Sequence, residues 1–238
     1  MSKIPVLEIF GPTIQGEGMV IGQKTMFIRT AGCDYSCTWC DSAFTWDGSA
    51  KGQIRQMTSQ EIWSELIAVG NDNFTHVTIS GGNPVLLKNL GDLISLLKKK
   101  NICIALETQG SIWRDWLLHV DEITLSPKPP SSNMKTNFEV LSEILHKLKT
   151  KNCSLKIVVF NDEDFLYAKE IHKRYPNIPF FLQVGNDNTK LKDDTLLIKQ
   201  LLAKYKWLID KTLQCNEMNN VKVLPQIHTL IWGNKRGV

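Results

Sequence analysis

Short runs of β-branched, aromatic and aliphatic residues punctuate the chain at Met26–Thr30, Val77–Ser80, Cys103–Glu107, Glu122–Ser126, Ser154–Phe160 and Phe180–Val184. Each is too short for an ordinary helix and largely apolar, so each reads as a strand buried in a parallel sheet. The stretches between them carry helical signals. Thr58-Ser59-Gln60-Glu61 has the form of a capping box, opening a helix to about Val69 with Ile62, Leu66 and Val69 on one face. Leu86–Lys100 ends in Lys98-Lys99-Lys100, which suits the negative end of a helix dipole and reads as a solvated cap rather than a nucleic-acid patch. Further helices are expected over Ser111–His119, Asn137–Thr150, Glu163–Tyr175 and Asp194–Lys211. Strands recurring every 20–30 residues or so are those of parallel strands returned through crossover helices. The expectation is an α/β fold, an incomplete TIM-like barrel of about six parallel strands, with ligands at the strands' carboxyl ends.

Composition narrows the class without naming a function. No repeat or linker divides the 238 residues, so residues 1–238 are expected to form one domain. A hydrophobic content of 42% is that of a globular protein and argues against disorder or a fibrous repeat. A net charge of +4 is too small to mark a nucleic-acid surface, though it suits a small anionic ligand. Met1-Ser2-Lys3-Ile4-Pro5-Val6 opens no signal sequence, and no apolar run approaches the ~18 residues of a membrane span. A soluble, cytoplasmic protein with no membrane or nucleic-acid partner is expected.

The cysteines change the picture. Cys103, Cys153 and Cys215 are scattered singly and are expected to be small core hydrophobes, whereas Cys33, Cys37 and Cys40 crowd one loop after the first apolar run. Three thiolates spaced Cys-x3-Cys-x2-Cys can wrap one inorganic centre, and soft sulfur favours zinc or an iron–sulfur cluster. A structural zinc site needs a fourth ligand nearby, and the next histidine, His76, lies well outside the loop. A [4Fe–4S] cluster on three cysteines would leave one iron open for chemistry. Zinc and plain buried or reactive thiols are the alternatives.

This cysteine pattern after a first strand resembles the radical S-adenosylmethionine (SAM) superfamily. The resemblance implies that the open iron chelates the amino and carboxylate groups of SAM, and that electron transfer cleaves SAM to a 5′-deoxyadenosyl radical. Ser80-Gly81-Gly82-Asn83-Pro84 matches the superfamily's Gly-Gly-Glu-Pro motif, which holds the SAM amino group, with Asn83 in place of the usual Glu.

The segment before the cluster is more selective. Gln15 and Glu17 lie among glycines, and Arg29 follows on the first apolar run. An amide, a carboxylate and a guanidinium suit a polar heterocycle bearing a carboxylate. Together with Thr13–Gly18, Cys40-Asp41-Ser42, Glu107-Thr108-Gln109-Gly110, Ser126-Pro127-Lys128-Pro129-Pro130 and Gln226-Ile227-His228, these residues resemble the 7-carboxy-7-deazaguanine synthase family over essentially the whole chain. That resemblance implies conversion of 6-carboxy-5,6,7,8-tetrahydropterin to 7-carboxy-7-deazaguanine with loss of ammonia, on the route to queuosine. The implied cofactors are a [4Fe–4S] cluster, SAM and Mg2+, with an electron donor such as flavodoxin or ferredoxin and a homodimeric state. Hydrogen abstraction at the carboxylate-bearing carbon, ring contraction, hydrogen return and ammonia loss form the implied sequence.

By residue, the resemblance gives Cys33, Cys37 and Cys40 to the cluster and the Ser42 hydroxyl to Mg2+, with Asp41 the competing oxygen donor. Ile14, Gln15, Gly16, Glu17, Arg29, Ser80 and His228 fall to the substrate, and Trp39, Cys40, Asp41, Gly82, Glu107, Ser126, Pro127, Lys128 and Gln183 to SAM. Taken alone, Ser42 reads as a helix N-cap. Two other readings compete. Another radical SAM enzyme, such as a glycyl-radical-enzyme activase, would offer a peptide groove in place of the Gln15/Glu17/Arg29 pocket. A zinc module binding RNA would need a basic aromatic face.

Overall fold

All six apolar runs become strands. The computed structural model describes residues 2–149 and 151–238. Its strands are β1 (Ile4–Ile14), β2 (Lys24–Thr30), β3 (Arg55–Met57), β4 (His76–Gly81), β5 (Cys103–Thr108), β6 (Glu122–Leu125), β7 (Asn152–Val159), β8 (Phe180–Val184) and β9 (Val221–Leu224). The helices are α1 (Ser59–Gly70), α2 (Leu90–Lys99), α3 (Phe138–Lys147), α4 (Asp162–Arg174), α5 (Asp194–Leu213) and α6 (Ile227–Trp232). One sheet runs in the order β3-β1-β2-β4-β5-β6-β7-β8-β9. From β2 through β9 the neighbours are parallel, while β1 pairs antiparallel with both β2 and β3. The sheet ends in β3 on one side and β9 on the other among the described residues, so the barrel is incomplete.

β1, β3 and β9 are additions to the expected set. β1 carries Glu8, Gly11 and Pro12, and its pairing with β2 shifts register on either side of Ile9, which breaks the alternation that marks a strand. β9 is only four residues long and extends the parallel set by one strand beyond β8.

Local signals set most helix ends. At α1 the Thr58 hydroxyl accepts from the Glu61 N–H at 3.2 Å, and the Glu61 carboxylate accepts from the Thr58 N–H at 2.7 Å. Ile62 and Leu66 are buried as expected, but Val69 is 44% exposed. The buried position of that last turn is Gly70, where a Cβ would stand 2.8 Å from the Phe74 ring. The helix expected over Ser111–His119 is instead an irregular segment ending in a 3-10 turn, Asp115–His119. Its adjacent Trp116 and Leu117 are both buried, which a tight turn accommodates more readily than one helical stripe. A 3-10 turn at Pro84–Leu86 likewise precedes α2, which starts at Leu90. α3 ends at Lys147, and Thr150, the expected end, lies outside the described residues. Cys153 is buried as expected, whereas Cys103 and Cys215 are only half-buried.

Strand alternation then divides the sheet into two faces. Ile28, Ile79, Leu106, Leu125, Leu155 and Ile157 are at most 1% exposed and join Leu90, Leu93, Ile94 and Leu97 of α2 in the core. Those four lie at helical spacing i, i+3, i+4 and i+7, the stripe of a helix packed on a sheet. Arg29, Ser80, Glu107 and Lys156, one residue out of phase, line a cavity instead. No helix among the described residues is long and apolar enough to cross a membrane.

Where β2 and β4 end, their backbones meet. Gly81 has φ +133°, and a Cβ there would lie 2.2 Å from the Thr30 carbonyl oxygen. Gly81→Ala should therefore destabilise the protein by on the order of 3 kcal/mol, roughly 10 °C in melting temperature. A thermal melt of the cluster-free variant measures it.

Candidate active site

A cavity of about 290 Å³ opens at the carboxyl ends of the parallel strands. Its wall includes Cys33, Cys37 and Cys40, which are free thiols on the irregular loop after β2. That loop is pinned by backbone contact. The Asn83 N–H donates to the Gly32 carbonyl at 2.7 Å, and a Cβ on Gly82 would stand 2.0 Å from the same oxygen. The second glycine thus has a packing reason of its own, besides forming part of the cavity wall.

Asn83 is fully buried and does more for the loop than for the cavity. Its Nδ2 donates to Asp34 Oδ1 at 2.7 Å and to Ser111 Oγ at 3.1 Å, while its Oδ1 accepts from Thr108 Oγ1 at 2.7 Å. Gln109 Nε2 also donates to Asp34 Oδ1, at 2.5 Å, and lies 3.6 Å from Cys33 Sγ. An amide at position 83 can donate to Asp34, which an ionised Glu cannot. Burial pushes all three thiols up, Cys37 to about 11, so the cluster-free loop holds neutral thiols that must lose protons on ligation. Three soft donors facing the cavity, with no fourth cysteine in its wall, fit an iron–sulfur cluster with an open position.

The same cavity holds a network of paired charge around the buried Lys156. Glu17 Oε2 accepts from Lys156 Nζ at 2.6 Å, and its Oε1 accepts from Gln226 Nε2 at 2.7 Å. His228 Nε2 is 3.9 Å from Glu17 Oε1, and Lys156 Nζ is 3.6 Å from Glu107 Oε1. Gln15 Nε2 donates to that Glu107 oxygen at 3.4 Å. Burial alone would raise the Glu17 pKa, but Lys156 and His228, with hydrogen bonds from Lys156 and Gln226, reverse it and hold the carboxyl at about 2. Burial would depress the Lys156 ammonium, and Glu107 and Glu17 push it above its usual value instead.

Arg29 sits between the Phe10 and Phe44 rings, with Nε on Glu8 at 2.9 Å and Nη1 on Ser42 Oγ at 2.9 Å. The guanidinium expected to grip a substrate acid is thus already held by protein groups. Ser42 Oγ in turn donates to Asp41 Oδ1 at 2.9 Å and makes no side-chain cap to the turn that follows. These hydroxyl and carboxylate oxygens are the hard donors that Mg2+ takes, so the donor chemistry fits that ion.

The cavity is lined by Ile14, Gln15, Gly16, Glu17, Arg29, Trp39, Cys40, Asp41, Ser42, Ser80, Gly82, Glu107, Ser126, Lys128 and His228. Pro127 and Gln183 lie outside it. Gln183 is fully buried on β8, donates from Nε2 to the Leu224 carbonyl, and keeps an Oε1 with no partner among the described residues. Residues not anticipated include Lys156 and the Phe10/Phe44 pair, and Gln226 was part of a recognised motif without a role of its own. A lone lysine inside the apolar run Ser154–Phe160 was a usable signal for the first.

The Glu17 environment has a pH signature. A carboxyl held at about 2 in the fold, against 4.5 otherwise, adds stability that is complete above about 4.5 and is lost as pH falls toward 2. Urea unfolding of cluster-free wild type and Glu17→Gln should show a stability difference that is constant above that window and shrinks through it.

Comparison with known proteins shows the family. Residues 27–173 match the model of the Radical SAM superfamily. The chain is 71% identical over 238 residues to a 7-carboxy-7-deazaguanine synthase of Bacillus cereus, covering 100% of both chains. It is 64% identical over 239 residues to the enzyme of that name from Bacillus subtilis, covering 99% of this chain and 98% of that one. The crystal structure of QueE from Escherichia coli superposes with a TM-score of 0.61 at 24% identity, over 94% of each chain, and shows the same fold. The chain therefore belongs to the 7-carboxy-7-deazaguanine synthase family of the radical SAM superfamily.

Proposed function

We propose that this protein, acting as one domain, converts 6-carboxy-5,6,7,8-tetrahydropterin to 7-carboxy-7-deazaguanine with release of ammonia, a step toward queuosine. The observation that carries this reading is a single cavity lined both by the three free thiols and by Gln15, Glu17 and Arg29. A glycyl-radical-enzyme activase would not need that second set.

Cys33, Cys37 and Cys40 hold the cluster, and Trp39, Asp41, Gly82, Glu107, Ser126 and Lys128 surround SAM. Pro127 and Gln183 support that side from behind the wall. When bound, the cluster and SAM supply the one-electron chemistry that starts a carbon-radical rearrangement. The protein's own residues orient the pterin and keep water away. Glu17, held as a carboxylate, accepts from ring N–H groups, and Gln15 reads a neighbouring edge. Arg29 Nη1, now on Ser42, is the donor a substrate carboxylate takes, and Ser42 then offers its oxygen to Mg2+. Ile14, Gly16, Ser80 and His228 close the pocket around the ring. Flavodoxin or ferredoxin is the proposed reductant, a homodimer the proposed assembly and the cytoplasm the proposed location.

Anaerobic reconstitution with iron and sulfide, followed by SAM, reductant, Mg2+ and the carboxytetrahydropterin, should yield the deazaguanine acid. Cleavage of SAM to 5′-deoxyadenosine without that product would overturn the substrate assignment. Ser42→Ala should lower turnover and change its Mg2+ dependence while iron content stays at the wild-type level. An unaltered Mg2+ dependence rules out the Ser42 role.

A further inference from the structure

β7 is buried at every position after its first residue, and Lys156 sits in its middle at 4% exposure, between Leu155 and Ile157, which are fully buried. An ammonium in such a strand is costly unless it is paired and hydrogen-bonded. Its two partners come from segments far apart in the chain. Glu17 follows β1 and Glu107 lies on β5, and both carboxylates stand within 3.6 Å of the Lys156 nitrogen. Without a cation between them, two half-buried carboxylates facing one cavity would repel.

The Glu17 segment has little other side-chain anchorage. Gly16 packs so closely on α6 that a Cβ would lie 2.3 Å from His228 Nδ1, and its carbonyl accepts from the Ile227 N–H at 3.1 Å. These contacts fix the backbone, whereas the direction of the Glu17 carboxylate is set by Lys156 on one oxygen and Gln226 on the other. We infer that Lys156 is a positioning residue for the pterin site, aiming the Glu17 carboxylate at the substrate ring and joining it to Glu107 on the SAM side. This rests on the reading of Glu17 as a substrate contact. Both shifted pKa values agree with it, since Glu17 is held ionised and Lys156 held protonated across the working range.

The test is a double-variant cycle on pterin affinity, titrated anaerobically into cluster-loaded, SAM-saturated protein without reductant, so that no turnover occurs. Glu17→Gln and Lys156→Met should each weaken binding by about tenfold or more. The double variant Lys156→Met/Glu17→Gln should bind like Glu17→Gln alone, within about threefold, because Lys156 acts through Glu17. The double variant also removes both charges, which keeps the comparison available if Lys156→Met alone does not fold. In turnover, the apparent KM for the pterin should rise with kcat within about threefold of wild type. Effects that multiply in the double variant, or a lowered kcat at unchanged KM, overturn the proposal. Wild-type affinity in Glu17→Gln overturns the substrate reading itself, and wild-type affinity in Lys156→Met beside a weakened Glu17→Gln overturns the Lys156 role alone.

Discussion

The central strands of this sheet, β2 and β4 to β8, are largely buried on both sides, yet only one side is apolar. The other turns Arg29, Ser80, Glu107 and Lys156 inward, and a charge withdrawn from water has to find its counter-charge inside the protein. Much of the site follows from that requirement. Arg29 is met by Glu8 from the antiparallel strand β1 and by Ser42 from the cysteine loop. Lys156 is met by Glu17 and Glu107. The elements that flank the parallel sheet are therefore held to it by the polar groups of its inner face as well as by packing.

The two halves of the chemistry share this framework. The cysteine loop has little regular structure of its own and takes its shape from the close approach of Gly82 to Gly32 and from the Asp34–Asn83–Gln109 hydrogen bonds. The side proposed for the pterin takes its shape from ion pairs. Glu107 belongs to both in the proposed arrangement, because Gln15 and Lys156 reach it from the side proposed for the substrate. Substitutions in one half are accordingly felt in the other.

Much of this was legible in the sequence. The parallel strands announced themselves because burial on both faces of a sheet selects β-branched and aliphatic residues, and the α1 cap because its hydrogen bonds are local. β1 was hidden because glycine, proline and register shifts broke its period, and β9 because four residues are too few to carry one. The segment after Gly110 misled because its tryptophans and leucines have helical composition without helical phase. In the site, the cysteines and the Gln15/Glu17/Arg29 set stood out by spacing and type. Lys156 and Gln226 did not, since their roles arise only when distant strands bring carboxylates to them. That Arg29 is occupied by Glu8 and Ser42 is likewise a fact of packing, invisible in residue order.

The contact between Gly16 and Ile227 bears on how the protein is made. The cysteine loop and Gly16 precede Gln226 and His228 by most of the length of the chain, yet all of them border one cavity. Early and late segments thus share its wall, so the cavity is completed only when nearly the whole chain is available to fold.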